Sequence, residues 1–183
     1  MIRYFLQIAF LSLILTTGCT QPNKSWLDKN TVKIYPNATY DFKGLAEHIG
    51  DKRIVAIGES SHGLGKFFEL KSELVKYLHA ELGFEVLAME GGLGDVNLAY
   101  QDIKDLSAQE LMKNSVFGNF RAKGIWALFD YIKATSTDKR PLIYTGFDSQ
   151  TSSKYFQDMM QEILAKYDPS LAQEFEADFK SYN

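Results

Sequence analysis

Three observations place this chain in the α/β class, with a mostly parallel sheet and crossover helices. A short apolar run that stops at a small residue and gives way to an acidic one occurs three times, leading to Glu59, Glu90 and Asp148. Between the first two runs, Gly65–Leu82 carries apolar residues at helical spacing; strand, helix, strand in that order is a βαβ unit, parallel and right-handed by strong preference. The chain has 183 residues, 45% of them apolar, which is enough for one ordinary core and too little for a second.

The N-terminus is of another kind. Arg3 precedes a nearly unbroken apolar run from Tyr4 to Leu15, followed by Thr16-Thr17-Gly18-Cys19. That is the layout of a signal peptide, and the run is short for a membrane span. A cysteine directly after a small residue resembles a bacterial lipobox, in which Cys19 is lipidated and becomes the mature N-terminus; Thr16 stands where leucine is usual. The alternative is a plain secretory signal with an incidental cysteine. Residues 1–18 are read as signal peptide, 19–40 as a lipid-anchor tether and irregular lead-in, and 41–183 as the α/β domain. The expected setting is the bacterial cell envelope, with the protein exported and held at a membrane through Cys19. This is the only cysteine, so the domain itself has no intrachain disulfide and no thiol nucleophile.

Taken in order, Trp26 to Tyr40 shows no period and is expected to be loop with short extended pieces. Phe42, Leu45 and Ile49 fall at helical intervals, and Gly50-Asp51 stops that helix. Ile54–Ile57 is continuously apolar, as suits a strand covered on both faces. Gly65–Leu82 follows as a helix with Phe67, Leu70, Leu74, Leu78 and Leu82 on one stripe, and Gly83 sits where a left-handed C-cap is wanted. Phe84–Met89 is the second strand, ending in Glu90-Gly91-Gly92. Gly94–Ile103 has helical spacing, Ser107 and Glu110 have capping-box spacing, and Phe117–Arg121 is an aromatic connection. Ala122–Ala134 is a helix with Ile125, Leu128, Phe129 and Ile132 on one face. Pro141–Thr145 is the third strand, ending in Gly146-Phe147-Asp148. Ser152–Tyr167 is an amphipathic helix, and Asp168-Pro169 caps and opens one more.

Parallel strands end on one edge of their sheet, so Glu59, His62 and Glu90 share a rim, with Asp148 beside them if the third strand is parallel as well. Open α/β sheets place their chemistry at that rim, where strand ends meet helix starts. Of three histidines in the chain, His48 lies on a short surface helix and His79 beside a core stripe, which leaves His62 placed to act. A histidine held by a carboxylate takes a proton from water near neutral pH, and a second carboxylate positions water or substrate. A metal reading stays open, with one divalent ion held by Glu59, His62, Glu90 or Asp148. A serine elbow at Ser60 or Ser61 would need glycine where His62 stands, so these serines are better read as helix caps. The bland reading is that acidic residues and serines at such turns only cap helices. A net charge of −3 with basic residues scattered among acids gives no field that favours nucleic acid.

The segment Ile54-Val-Ala-Ile-Gly-Glu59-Ser-Ser-His62-Gly63, then Phe67-Phe68-Glu-Leu-Lys71, then Gly83-Phe84 leading to Met89-Glu90, resembles the N-terminal half of the erythromycin esterase family. Gly146-Phe147-Asp148 fits that family's Gly-x-Asp segment. The resemblance implies a hydrolase without metal or other cofactor that opens macrolactones or a related small-molecule ester. It makes His62 the general base, Glu59 its orienting or proton-handling partner and Glu90 a second active-site carboxylate. Lys71, Asp148 and Ser61 are the candidate substrate-binding residues. Lys66 and Lys71 depart from the family, which tends to have glutamate and arginine there; lysine keeps the charge of arginine but not its planar fork. Family members are also about twice as long and bring a later histidine to the cleft, so the resemblance implies an incomplete fold and a piece of a longer gene product. The alternative function is a ligand-binding lipoprotein, or an inactive remnant. Oligomeric state is not legible.

Overall fold

The computed structural model describes residues 24–32, 34, 40–61 and 63–181. The signal segment, Cys19 and His62 lie outside them. By its contacts the chain divides into residues 1–37 and 38–183. In the first unit, the stretch expected to be loop holds a short helix, α1 (Lys24–Asn30), with no buried residue. It lacks a periodic signal because side chains close it: Asn30 Nδ2 donates to Trp26 O at 2.8 Å and Thr31 Oγ1 to Leu27 O at 2.6 Å.

The second unit runs α2 (Lys43–Ile49), α3 (Gly65–Ala80), β1 (Val86–Gly92), α4 (Leu93–Gln101), α5 (Ala108–Ser115), a 3-10 turn (Gly118–Phe120), α6 (Lys123–Thr135), β2 (Ile143–Asp148), α7 (Tyr155–Tyr167) and α8 (Pro169–Ser181). The class is α/β, and β1 and β2 are parallel neighbours. No helix among the described residues is long and apolar enough to cross a membrane.

The expected first strand does not form. Residues 54–58 belong to no strand, and Ile54 is 85% exposed. A strand exists only through its ladder, and among the described residues, 54–58 make no backbone–backbone hydrogen bond. The other two strands start and end later than expected. Phe84 is still occupied in closing α3: its N–H reaches back to Leu78 O at 3.0 Å across Gly83, whose φ of 76° is the left-handed C-cap anticipated there. The acidic residues that were expected after the strands therefore lie within them, Glu90 in β1 and Asp148 in β2.

Among the described residues, one face of this sheet carries the core. Leu87 and Met89 of β1 pack on the core beside Tyr144 of β2, while Val86, Ile143 and Phe147 stand exposed on the other face. The core itself lies among α3, α4, α5 and α6, with Val96, Leu111, Phe129 and Ile132 almost fully enclosed. Phe129 meets Tyr144 edge-on at 5.5 Å between ring centres. All four residues expected on the inner face of α6 are buried.

The inner face of α3 is turned from the expected stripe: Phe68, Ser72, Val75, Leu78 and His79 are buried, with Phe67, Leu70 and Leu74 at the margin. The cause lies on α6. Gly124 lets α6 lie against the first turn of α3, so close that a Cβ there would collide with Gly65 O. Ser72, small enough for the same contact, donates to Phe68 O at 2.6 Å and lies 3.1 Å from Gly124 O. His79 is structural as anticipated, 4% exposed with Nδ1 at 2.7 Å from Tyr131 Oη.

Two helix starts match the sequence signals. Ser107 Oγ accepts from Glu110 N at 3.2 Å while Ser107 N donates to Glu110 Oε2 at 2.8 Å. Those bonds hold the Glu110 carboxyl below its usual range. Asp168 Oδ1 accepts from Leu171 N at 3.1 Å to open α8.

Tyr155, at the start of α7, donates to Asp102 Oδ2 at 2.6 Å. Burial, and then that bond to a carboxylate, push its phenol from 10.0 up to about 12. A group whose folded value is raised stabilises the fold fully below its unfolded value and loses that contribution as pH climbs through the folded one. Tyr155→Phe is therefore expected to remove part of the fall in stability between pH 10 and 12, together with one late phenolate step in the absorbance titration. A variant whose alkaline unfolding and titration both match the parent would show that the bond to Asp102 does not hold in solution.

Candidate functional site

The polar turn after residues 54–58 is tied to α3 by one ion pair. Lys71 Nζ contacts Glu59 Oε2, with the Glu59 side chain 7% exposed and the Lys71 side chain 25% exposed. Lys71 can reach because it sits one turn beyond Phe68 on α3, with its ammonium 5.7 Å from the centre of that ring. A carboxylate this far out of water needs a cation or several donors to remain ionised at tolerable cost. Thus Lys71, anticipated as a substrate-binding residue, holds Glu59. Lys66, the other departure from the family pattern, faces Glu69 at 2.8 Å on the surface. That pair holds the Glu69 carboxyl low.

Beside this pair runs a groove of about 630 Å³. It is lined by Arg53–Glu59, by Val86–Glu90, and by Phe68, Val75, Leu78, Ile125 and Leu128 among others. Glu59, Lys71 and Glu90 all line it, so two of the three candidate catalytic residues and one candidate binding residue share a single concavity. Glu90 owes its placement to an irregularity. The ladder pairs Met89 with Gly146 and next Gly92 with Asp148, so Glu90 and Gly91 together oppose Phe147. One extra residue on one strand is a bulge, a device that re-aims a side chain at a sheet's end. Exposed in the sequence of burial along β1, Glu90 faces the groove rather than the core.

The remaining candidates are placed otherwise. Asp148 is half-buried at the end of β2, on the same edge as Glu90 as parallel pairing requires, but its Oδ1 accepts from Gln150 N at 2.8 Å and it does not line the groove. Ser61 is exposed at the turn before α3 and is likewise not part of the groove wall. His62 follows Ser61 directly. Among the described residues, no group of three or more His, Cys, Asp or Glu side chains is arranged to hold a metal ion.

Sequence reasoning missed the clamp that fixes the far end of the sheet. Asp95 on α4 is 1% exposed and accepts from Ser152 N at 2.8 Å, Ser153 N at 3.2 Å and Phe156 N at 2.9 Å. Ser152 Oγ in turn accepts from Gly92 N at 3.1 Å and donates to Ser115 O at 2.8 Å. The ends of β1 and β2 are thereby joined through one buried carboxylate.

The Lys71–Glu59 pair makes a measurable prediction. Lys71→Met leaves Glu59 without its nearest cation and is expected to cost about 2–3 kcal/mol, below the full cost for a deeply buried pair because Lys71 is partly in water. Glu59→Gln in the same chain is expected to recover at least about 1 kcal/mol of that loss, read as coupling in a double-mutant cycle of denaturant unfolding. Losses that simply add would mean the pair does not hold the turn.

No protein-family model matches this chain. It is 37% identical over 133 residues to the Bacillus subtilis (strain 168) protein named "Putative hydrolase YbfO", a match covering 73% of this chain and 30% of that one. It is 42% identical over 62 residues to the Escherichia coli protein named erythromycin esterase type II, covering 33% of this chain and 15% of the other. The chain thus spans less than a third of the length of either relative. A crystal structure of a Bacillus cereus protein superimposes with a TM-score of 0.56 at 24% identity, over 86% of this chain and 40% of that one. This last likeness establishes a shared fold. The first two make the chain similar to proteins named as hydrolases.

Proposed function

We propose that this chain carries one half of an esterase site, in which His62 takes a proton from a water that attacks an ester carbonyl. Glu59 orients or relays for His62, Glu90 is the second active-site carboxylate, and Lys71 holds Glu59 while lending positive charge near the developing oxyanion. Ser61 and Asp148 lie outside the groove wall and would touch only the part of a substrate that extends beyond it. The observation that carries this reading is the convergence of Glu59, Lys71 and Glu90 on one groove, with His62 three residues past Glu59. The names of the two sequence relatives support hydrolysis, and one of them supports a macrolactone-type ester.

The test is hydrolysis of an activated aryl ester and of a macrolactone by the purified chain. Turnover that survives chelator supports the proposal. Turnover that disappears with chelator and returns with a divalent ion replaces it by metal-assisted attack at the same rim. Ligand binding without turnover replaces it by the binding-protein reading.

Export and attachment to a membrane through a lipid on Cys19 belong to the same proposal, since the basic start, apolar run and small residues precede that cysteine. Metabolic labelling with a fatty-acid analogue should mark the parent chain and not Cys19→Ser; a labelled serine variant would count against the anchor.

A further inference from the structure

The end of β1 departs from a regular strand in a way that one residue of β2 permits. Burial alternates along β1 from Val86 to Glu90 and then stops alternating, Gly91 and Gly92 both being buried. The ladder steps from Met89 opposite Gly146 to Gly92 opposite Asp148, so the bulge begins directly after the Gly146 pair. Gly146 is itself buried, on the same face of β2 as Tyr144. A Cβ on Gly146 would collide with Gly91 O and would stand 3.0 Å from Gly92 O and 2.9 Å from Val96 Cγ2. The backbone of the bulge therefore crosses the space that any side chain at this position would fill. None of the three glycines has a positive φ, so what glycine supplies here is room for a close backbone approach.

We infer that Gly146 is a positioning residue for Glu90, an inference that rests on the reading of Glu90 as an active-site carboxylate. By leaving the core face of β2 empty at its end, Gly146 lets the chain at Gly91 and Gly92 drop onto that face. Glu90, the residue before the drop, is left on the groove side. A methyl group at 146 meets backbone oxygens, which cannot swing aside as the end of a side chain does. Gly92 cannot yield, because its N–H donates to Ser152 Oγ at 3.1 Å. It is also packed so tightly that a Cβ there would stand 2.6 Å from Gln150 O and 2.8 Å from Asp95 Oδ2. The displacement therefore falls on Gly91 and Glu90. Gly146 does not line the groove, so its effect passes through the carboxylate that it places.

The experiment introduces Gly146→Ala into two backgrounds, native Glu90 and Glu90→Gln. With Glu90 present, kcat for an activated aryl ester should fall about 10²-fold, the cost of misplacing a reacting group by about 1 Å. KM should stay within about threefold, because the groove is intact. With Glu90→Gln already in place, the same substitution should lower kcat by less than about twofold, since groups that act as a unit do not add. A residue that only supports the fold would lower kcat equally in both. A second readout needs no turnover. In a Cys19→Ser chain carrying Glu90→Cys, the rate of alkylation by iodoacetamide should change at least about threefold on adding Gly146→Ala, because thiol reactivity follows access and surroundings. Gly118→Ala, which places a methyl in open space, should leave that rate as it is. Where Gly146→Ala is too unstable to purify, adding Val96→Ala makes room on the core side and keeps both carbonyl collisions, so the same shifts are expected. Equal losses in both backgrounds, an unchanged kcat, or an unchanged alkylation rate overturns the inference. A changed alkylation rate in a chain that hydrolyses no ester upholds the placement of residue 90 by Gly146 and overturns the esterase reading instead.

Discussion

Replacing His62 with alanine is expected to lower ester hydrolysis by about 10²- to 10⁴-fold, the usual contribution of a positioned general base, with little change in thermal stability. The expectation rests on position. Residues 54–58 lead out of the groove to Glu59, whose carboxylate is fixed by Lys71, and the chain passes through Ser60 and Ser61 to His62 before α3 begins at Gly65. A base needs a fixed partner more than it needs burial, and Glu59 is the carboxylate in this turn that the structure immobilises. Two further readouts separate a base from a residue that only shapes the turn. A histidine base leaves a rising limb in kcat/KM near neutral pH, and that limb should be absent in the alanine variant. Added imidazole should restore part of the rate, since it can occupy the space that the side chain leaves. A variant that keeps ordinary activity, or one whose pH profile matches the parent at a lower plateau, would remove His62 from the chemistry.

Glu59 and Glu90 are expected to respond differently from His62. Glu59→Gln keeps the shape of the turn but loses its pairing with Lys71, so stability and turnover should fall together. Glu90 sits exposed on a bulge and supports no packing; its amide variant should lose turnover and keep its stability. That contrast follows from burial alone.

What could be read in the sequence was what local chemistry decides. The Ser107–Glu110 box, the left-handed Gly83, the Asp168 cap and the inner face of α6 depend on residues a few positions apart, and each is found in place. The face of α3 was not decidable in that way. Phe67 and Phe68, or Leu74 and Val75, offer two adjacent stripes of similar hydrophobicity, and the choice is made by Gly124 and Ser72, which let α6 approach along only one of them. The strand at 54–57 failed for the opposite reason: its composition is right, but a strand needs a ladder, and among the described residues none forms there. Half of the candidate site was legible because Glu59 and Glu90 each stand at the end of an apolar run in the sequence. The bulge that turns Glu90 into the groove and the partnership of Glu59 with Lys71 were not legible, since neither leaves a pattern in the order of residues.

Asp95→Ala should give the largest loss of stability, about 3–5 kcal/mol, which corresponds to a fall in melting temperature of roughly 8–15 °C for a domain of this size. No pattern in the sequence marks this residue: Asp95 looks like an ordinary first-turn acid on α4, and Ser152 N is 57 positions away. Yet three backbone N–H groups point at its carboxylate in a place where it is 1% exposed. Alanine leaves those donors facing a void, each worth about 1–3 kcal/mol before the chain relaxes or water enters. Asparagine tells the two sources of the loss apart. It keeps the volume and one acceptor but points an NH₂ at donors that need an oxygen, so Asp95→Asn should lie between the parent and the alanine variant. If instead it matches alanine, the charge on the carboxylate matters more than the count of bonds. The clamp also reaches the proposed chemistry, because Ser152 ties the end of β1 at Gly92 to the turn after Asp148. With Asp95 gone, the strand ends that present Glu90 are free to part, and the variant's kcat should fall even at temperatures where it remains folded. An alanine variant with stability within about 1 kcal/mol of the parent, well inside the range of ordinary substitutions, would show that the clamp carries neither the fold nor the rim.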